Sequence, residues 1–518
     1  MIRPLLTVSG ATLLSRVLGF IRDALVAALL GAGPVADAFL AAFQLVNVTR
    51  RLLTEGALNA ALVPAWMHAR DAHGPAAAAA FAGRVLGTVS AALVVAAALI
   101  ALLMPLVIAL LAPGFVGQPT LQLAVDDARL MLPYLAFAGP VTVLMGVLNA
   151  QHRFALSAFS PLLFNLALIF VMIALLARPQ DATDAALMMA ATVGVAGFLQ
   201  LMMLLWQRGS AAVARPLRVT FDAPMREFLL KALPGMVASS GPQLLIVGGA
   251  VIASGSPAAV SWLYFANRLI ETPLGLVGTA MGTVLVPQLT QAVRDDDHAA
   301  IARAESRALQ FAVGLALPAM LALMLLSGPL VRILFEHGAF SAADTEATAQ
   351  VLMLLALGLP AHVAVKALSP AFFARSNTKT PLIATLCGLA LAIVAAWPLS
   401  RGFGAGGVAG AVALGAWASA AVLIRQAATS FGFAIDPLTR RRLALIGLAA
   451  LLMAGFLWLK LSFAWPLVAA APLLIQALAL GLMIFGALAI YGGLLLLFGV
   501  VSPSGLAQAF RKPRGLRP

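Results

Sequence analysis

The 518-residue sequence is poor in the groups on which most soluble chemistry depends. It holds one cysteine, Cys387, which excludes an internal disulfide and a cysteine-based metal cluster. Charged residues make up 10% of the chain, against about 25% in an ordinary soluble domain. None of the lysines (Lys231, Lys366, Lys379, Lys460, Lys512) follows a glycine, so there is no Walker A loop and the chain is not itself a P-loop ATPase. The six histidines are scattered; His68 and His73 lie in or beside a loop without a third ligand at a metal-binding spacing. The run Asp295-Asp296-Asp297, beside Arg294 and Arg303, reads as a solvated loop face rather than a cation site.

What is present is apolar: 62% of residues are hydrophobic and the mean hydropathy is +1.01. This is the balance of a polytopic membrane protein, with length for about a dozen or more spans of roughly 20 residues and no room for a large soluble domain. Arg3 precedes an apolar stretch that Arg16 and Arg22 interrupt, and no small-residue cleavage site follows. The N-terminus therefore reads as a first spanning helix, not a removable signal peptide.

Apolar windows bounded by charge, Gly or Pro predict fourteen helices, near 5–30, 35–63, 78–112, 128–150, 157–177, 184–206, 227–253, 259–290, 306–335, 346–373, 380–400, 405–430, 441–464 and 467–500. The formal charge of +14 is not gathered into a basic domain with interleaved aromatics, so no nucleic-acid partner is expected. Its distribution gives orientation instead. The termini and the loops after even-numbered helices hold 22 basic residues, and the opposite side holds only Arg129, Arg178, Arg332, Arg401 and Lys460. Positive residues concentrate in cytoplasmic loops, so both termini should be cytoplasmic.

A weak internal repeat points to a transporter. Leu62-Val63-Pro64 recurs as Leu285-Val286-Pro287, and Pro161, opening the fifth helix, matches Pro381, opening the eleventh. A shift near 220 residues makes six helices the unit, in the same membrane orientation, with the last two helices left over.

A charge at mid-membrane costs several kcal/mol and normally faces a bundle interior or a watery cavity. Such residues gather in three predicted helices: Arg16, Arg22 and Asp23 in the first; Asp37, Asn47, Arg50, Arg51 and Glu55 in the second; Asn267, Arg268 and Glu271 in the eighth. Arg16 and Asp23 share a helix face, while Arg51–Glu55 and Arg268–Glu271 are spaced as i, i+4 and i, i+3 pairs. Five Arg stand against four acids, which predicts a positive excess and, because guanidinium forks bind phosphate oxygens bidentately, an anionic, phosphorylated substrate. For Arg50, Arg51 and Glu55 the alternative is snorkelling from a helix end, and for Asn47 and Asn267 it is interhelical hydrogen bonding. Lys366 and His362, one turn apart, fit either a snorkelling Lys or a coupling relay. The last two helices are either plain lipid-facing packing or a wall for a long lipid chain.

Residues 15–64, SRVLGFIRDALVAALLGAGPVADAFLAAFQLVNVTRRLLTEGALNAALVP, closely resemble the opening of the MurJ (MviN) family, the bacterial lipid II flippases of the multidrug/oligosaccharidyl-lipid/polysaccharide exporter superfamily. LAPGF at 111–115, SWLYFANRLIETPLG at 261–275 and FFARSNTKTP at 372–381 support the resemblance, which spans essentially the whole chain. It implies an all-α polytopic membrane protein with two six-helix lobes (1–220 and 221–435) around a central cationic cavity. It further implies two additional helices (436–502) forming a lipid-tail groove, and a basic cytoplasmic tail (503–518). By motif position, Arg16, Arg22, Arg50, Arg268, Asn47 and Asp37 would bind substrate, with Asp23, Arg51, Glu55, Asn267 and Glu271 pairing charge or gating.

Two positions depart from the family pattern: Val46 where Pro is common before the Asn, and Asn267 where some relatives have Asp before the Arg. The first bears on the helix bend that a Pro there would impose, and the second makes the cavity more positive and weakens a role for an acid at that position. The implied activity is flipping of lipid II across the bacterial inner membrane by alternating access, driven by membrane potential or an ion that the sequence does not identify. No cofactor or metal is called for; the implied partners are lipid II, membrane lipids and cell-wall synthesis and division machinery. The rival readings are an exporter of another polyprenyl-linked saccharide or amphipathic drug, and a polyprenyl-phosphate enzyme.

Overall fold

The structure, a computed structural model, describes residues 2–501 except 55–56, 152, 179, 207–213, 215–216, 224, 231–240, 281–290, 292–297, 376 and 433–435. Among the described residues the regular structure is helical, with no strand. Lipid offers no partner to backbone N–H and C=O groups, and a helix satisfies them within each segment.

The helices are α1 (Ile2–Leu30), α2 (Pro34–Thr54), α3 (Ala57–Leu102), α4 (Met104–Leu111), α5 (Pro119–Met131), α6 (Pro133–Ala150), α7 (Phe154–Leu176) and α8 (Ala182–Trp206). They continue as α9 (Gly241–Ala253), α10 (Ala259–Ala280), α11 (His298–Leu325), α12 (Ser327–Phe335), α13 (Ala342–Ala356) and α14 (Leu359–Ala374). Last come α15 (Lys379–Phe431), α16 (Pro437–Phe463) and α17 (Leu473–Leu497). Among the described residues, eight helical stretches are long and apolar enough to cross a membrane, or nine if the bent pair α13–α14 is one span.

Where the sequence suggests separate helices, glycine and proline explain the joins. α3 breaks at Gly74 (φ 84°), ahead of Pro75, and α15 breaks at Gly404 (φ 55°), conformations that Gly tolerates without a Cβ clash. Pro161 lies inside α7, which starts at Phe154, so it does not open that helix as the repeat suggested. Leu285-Val286-Pro287 lies outside the described residues.

The chain separates into two compact units, Met1–Tyr264 with Phe335–Asp344, and Phe265–Leu334 with Thr345–Pro518. In the first, α3 packs on α6, α1 on α7, and α2 on α5. Leu62, Trp66, Val85, Leu144 and Leu148 lie in its apolar core, and the rings of Phe39, Phe43 and Phe164 stack in a chain from α2 to α7 that Tyr134 of α6 meets edge-on.

In the second unit, α11 packs on α14 and α16, α14 on α15, and α16 on α17. Arg375 caps α14 and knits the FFARSNTKTP stretch to its surroundings: its Nη1 donates to the Ala371 carbonyl (2.8 Å), Nη2 lies 3.5 Å from Glu305, and the guanidinium sits 3.9 Å from the Phe431 ring centroid. The final pair is docked rather than loose. Met453, Leu457, Leu480 and Met483 are buried with Leu326, and the Tyr491 hydroxyl donates to the Gly314 carbonyl at 2.6 Å. At the start of α16, Asp436 accepts from the Thr439 N–H, and Gln310 of α11 donates to the Thr439 hydroxyl (2.8 Å). Hydrogen bonds from Thr439 hold the Asp436 carboxyl below the usual carboxylate range.

Candidate functional site

The deepest charges lie at the middle of α1. Arg22 is 7% exposed and Asp23 is fully buried, although neighbours in a helix point about 100° apart. Burial of a bare guanidinium is prohibitive, and the structure neutralises it at once: Arg22 Nε and Nη2 donate to Asp23 Oδ1 at 2.9 and 2.6 Å. Nη1 donates to Asn165 Oδ1 on α7 (3.1 Å), and the guanidinium stands 5.0 Å from the Phe43 ring centroid on α2. Asn165 Nδ2 in turn donates to the Ser15 carbonyl (3.2 Å), and the Tyr264 hydroxyl on α10 donates to Asp23 Oδ1 (3.1 Å). One carboxylate oxygen thus accepts three hydrogen bonds from two residues on different helices, and Arg22 presents a guanidinium whose plane is fixed by Asn165 and Phe43.

Arg16 is exposed, so the face it shares with Asp23 is not a contact; Asp23 turns to Arg22 instead. Arg50 reaches Asn47 at 3.5 Å, a weak bond between residues one turn apart on α2. The side chain of Arg51 and all of Glu55 lie outside what the structure describes.

Asp37 has a clear task. It is 2% exposed, and its Oδ1 accepts from the backbone N–H (2.8 Å) and hydroxyl (2.6 Å) of Ser261. Ser261 lies in the first turn of α10, where N–H groups lack an intrahelical partner and the helix dipole favours an anion. Asp37 therefore caps α10 from α2, 224 residues away in sequence.

Next to it, Phe335–Asp344 latches onto the C-terminal end of α1. Ala339 N donates to the Ala28 carbonyl (2.8 Å), and a Cβ on Gly338, at φ 58°, would run into that same carbonyl. Ser341 and Asp344 exchange side-chain to backbone hydrogen bonds in a capping box that starts α13, and Asp344 also accepts from the Trp262 indole at 3.1 Å.

A second, half-buried cluster sits on α10 in the other unit. Arg268 Nη1 lies 3.3 Å from Glu271 Oε2, both side chains 20% exposed, and Asn267 Nδ2 donates to Glu271 Oε1 at 3.4 Å. Asn267 thus supports the pair in place of an acid. By formal charge, Arg16, Arg22 and Arg50 stand against Asp23 and Asp37 in the first unit, and Arg268 stands against Glu271 in the second. Among the described residues no group of three or more His, Cys, Asp or Glu is placed to hold a metal ion.

The residues missed from sequence are Asn165, Tyr264, Ser261 and Phe43. Asn165 was detectable as a lone amide in an apolar 23-residue helix, where a polar side chain needs a partner. The others have no local signal.

A family model described as lipid II flippase MurJ matches residues 26–476. A probable lipid II flippase MurJ of Rhizobium meliloti (strain 1021) is 35% identical over 520 residues, covering 99% of this chain and 96% of the relative. The lipid II flippase MurJ of Burkholderia cenocepacia is 32% identical over 507 residues, covering 96% and 97%. In fold, the chain resembles a solved lipid II flippase MurJ in an inward closed conformation, with TM-score 0.75 and 22% identity over 95% of this chain and 98% of that one. An inward-facing multidrug resistance MATE transporter gives a TM-score of 0.65 at 14% identity, covering 83% and 95%.

Proposed function

The chain belongs to the MurJ family of lipid II flippases, and from that premise we propose that it carries lipid II from the inner to the outer leaflet of the bacterial plasma membrane by alternating access. The family moves a lipid and does not transform it. The observation that carries the reading to particular residues is the Arg22 network: a buried guanidinium, held in one plane by Asn165 and Phe43 and neutralised by a single carboxylate.

A diphosphate is the ligand such an arrangement suits. Its oxygens accept from guanidinium forks, and Arg16, Arg22, Arg50 and Arg268 supply four of them. Asp23 and Glu271 hold Arg22 and Arg268 while the site is empty, so the unliganded charges are never left bare. Asn47 adds a polar contact beside Arg50. Asp37 acts in this scheme by fixing the first turn of α10, which carries Tyr264 and then Asn267, Arg268 and Glu271.

With both termini cytoplasmic, the Phe335–Asp344 latch and the Asp37 cap lie at the outer side. Membrane potential supplies a drive without ATP. Each charge crossing 100 mV is worth about 2.3 kcal/mol, so an interior-negative potential favours outward passage of a diphosphate and inward return of an empty cationic site. The last two helices, docked on α11 with an apolar outer face, would take the polyprenyl tail, and cell-wall synthesis and division machinery would be the partners that use the product.

Alanine at Arg16, Arg22 or Arg268, with protein levels verified, should each abolish rescue of cells depleted of the native protein. Full rescue by all three would overturn the cationic-site assignment.

A further inference from the structure

The connection between α8 and α9 contains a short segment, 217–222, that is tied to α3 by an unusual set of contacts. The Thr88 hydroxyl donates to the Thr220 carbonyl (3.2 Å) and accepts from the Thr220 N–H (3.1 Å), imitating a pair of backbone ladder bonds. One turn back, Arg84 Nη1 meets Asp222 Oδ2 at 2.7 Å. Between them Gly87 allows the Arg218 backbone to lie directly on the helix; a Cβ there would collide with the Arg218 carbonyl. Residues 84, 87 and 88 line one helix face at i, i+3 and i+4, so α3 presents a made-to-fit seat.

Seating Thr220 and Asp222 turns the alternate residues away. Leu217, Val219 and Phe221 are 63%, 57% and 75% exposed, a continuous apolar row with no protein cover among the described residues. Their level is fixed by α3. Arg84 is the last ionisable residue before an uncharged run from Val85 to Leu111, long enough at 1.5 Å per residue to cross the hydrocarbon core. The seat thus lies where that run begins. Around the row the sequence is basic: Arg208, Arg215, Arg218, Arg226 and Lys231, against Asp222, which is paired with Arg84, and Glu227.

We propose that residues 217–221 form a strap lying in the headgroup–acyl boundary of the cytoplasmic leaflet, with Leu217, Val219 and Phe221 inserted among the chains and Arg218 and Arg226 on the phosphates of anionic lipids. An apolar row flanked by exposed Arg is the chemistry of interfacial membrane binding, and each basic residue near an anionic surface adds to its hold. The strap would keep the connection between α8 and α9 on the membrane surface. This inference does not depend on what the protein transports.

The test uses Phe221→Cys or, as a second site, Leu217→Cys in a Cys387→Ser background, spin-labelled and reconstituted in vesicles of phosphatidylcholine with or without phosphatidylglycerol. The expected result is collisional relaxation by oxygen severalfold above that by a water-soluble nickel chelate, with the ratio rising when phosphatidylglycerol is present. A label reached mainly by the nickel chelate in both vesicles would overturn the proposal, as would one shielded from both probes, which would indicate protein cover. A ratio unaffected by phosphatidylglycerol would overturn the role of Arg218 and Arg226.

Discussion

Replacing Asp23 by Asn removes one negative charge while keeping the side chain's shape and an acceptor oxygen. In the wild-type protein that oxygen receives Arg22 at 2.9 and 2.6 Å and Tyr264 at 3.1 Å, with Asp23 fully buried and Arg22 7% exposed. Removing one member of a buried ion pair leaves the other uncompensated, at about 3–5 kcal/mol. Because Asn still accepts hydrogen bonds, the lower end applies, and about 3 kcal/mol corresponds to roughly a hundredfold shift in the unfolding equilibrium. Denaturant titration of the detergent-purified protein should show it. Asp23→Asn with Arg22→Gln, which removes both charges, should recover most of the stability and none of the transport. If Asp23→Asn unfolds within about 1 kcal/mol of wild type, Arg22 is not held as a buried charge by this network.

Asn165→Ala should reduce lipid II transport with protein levels unchanged, because Arg22 loses the bond that fixes its plane; equal transport would remove Asn165 from the site. Gly338→Ala forces a side chain into the left-handed region and against the Ala28 carbonyl, which should cost at least about 1–2 kcal/mol and show as a lower unfolding midpoint. Its absence would mean the latch is not closed in solution. Asp436 has its carboxyl lowered in the folded protein, so its cap stabilises above the ordinary carboxylate range and that contribution fades as pH falls through the lowered value. Stability curves of wild type and Asp436→Asn should therefore converge in acid, and parallel curves would contradict the cap.

The helical, membrane-spanning character was legible because it is written locally: apolar length, proline and charge each act within a few residues. The Arg268–Glu271 pair was legible for the same reason, since i, i+3 spacing on a helix brings the side chains together. Arg16 and Asp23 show where periodicity fails. The shared face was real geometry, but Asp23 had a nearer cation in Arg22 and a donor in Tyr264, 241 residues on, which no helical wheel contains. Asp37 was read as a site residue from its charge and depth; its partner Ser261 is a first-turn N–H that becomes an anion site only once α10 meets α2. The α3 and α15 breaks were half legible, since Gly74 and Gly404 mark a turn without telling whether helix resumes at once.

The central claim is that this chain exposes lipid II at the outer face. It is tested most directly by depleting the protein from its own bacterium and adding a lipid II-cleaving protein from outside. Accumulation of lipid II that the added protein can no longer reach is the predicted result. Lipid II that stays cleavable while another surface polymer disappears would contradict it.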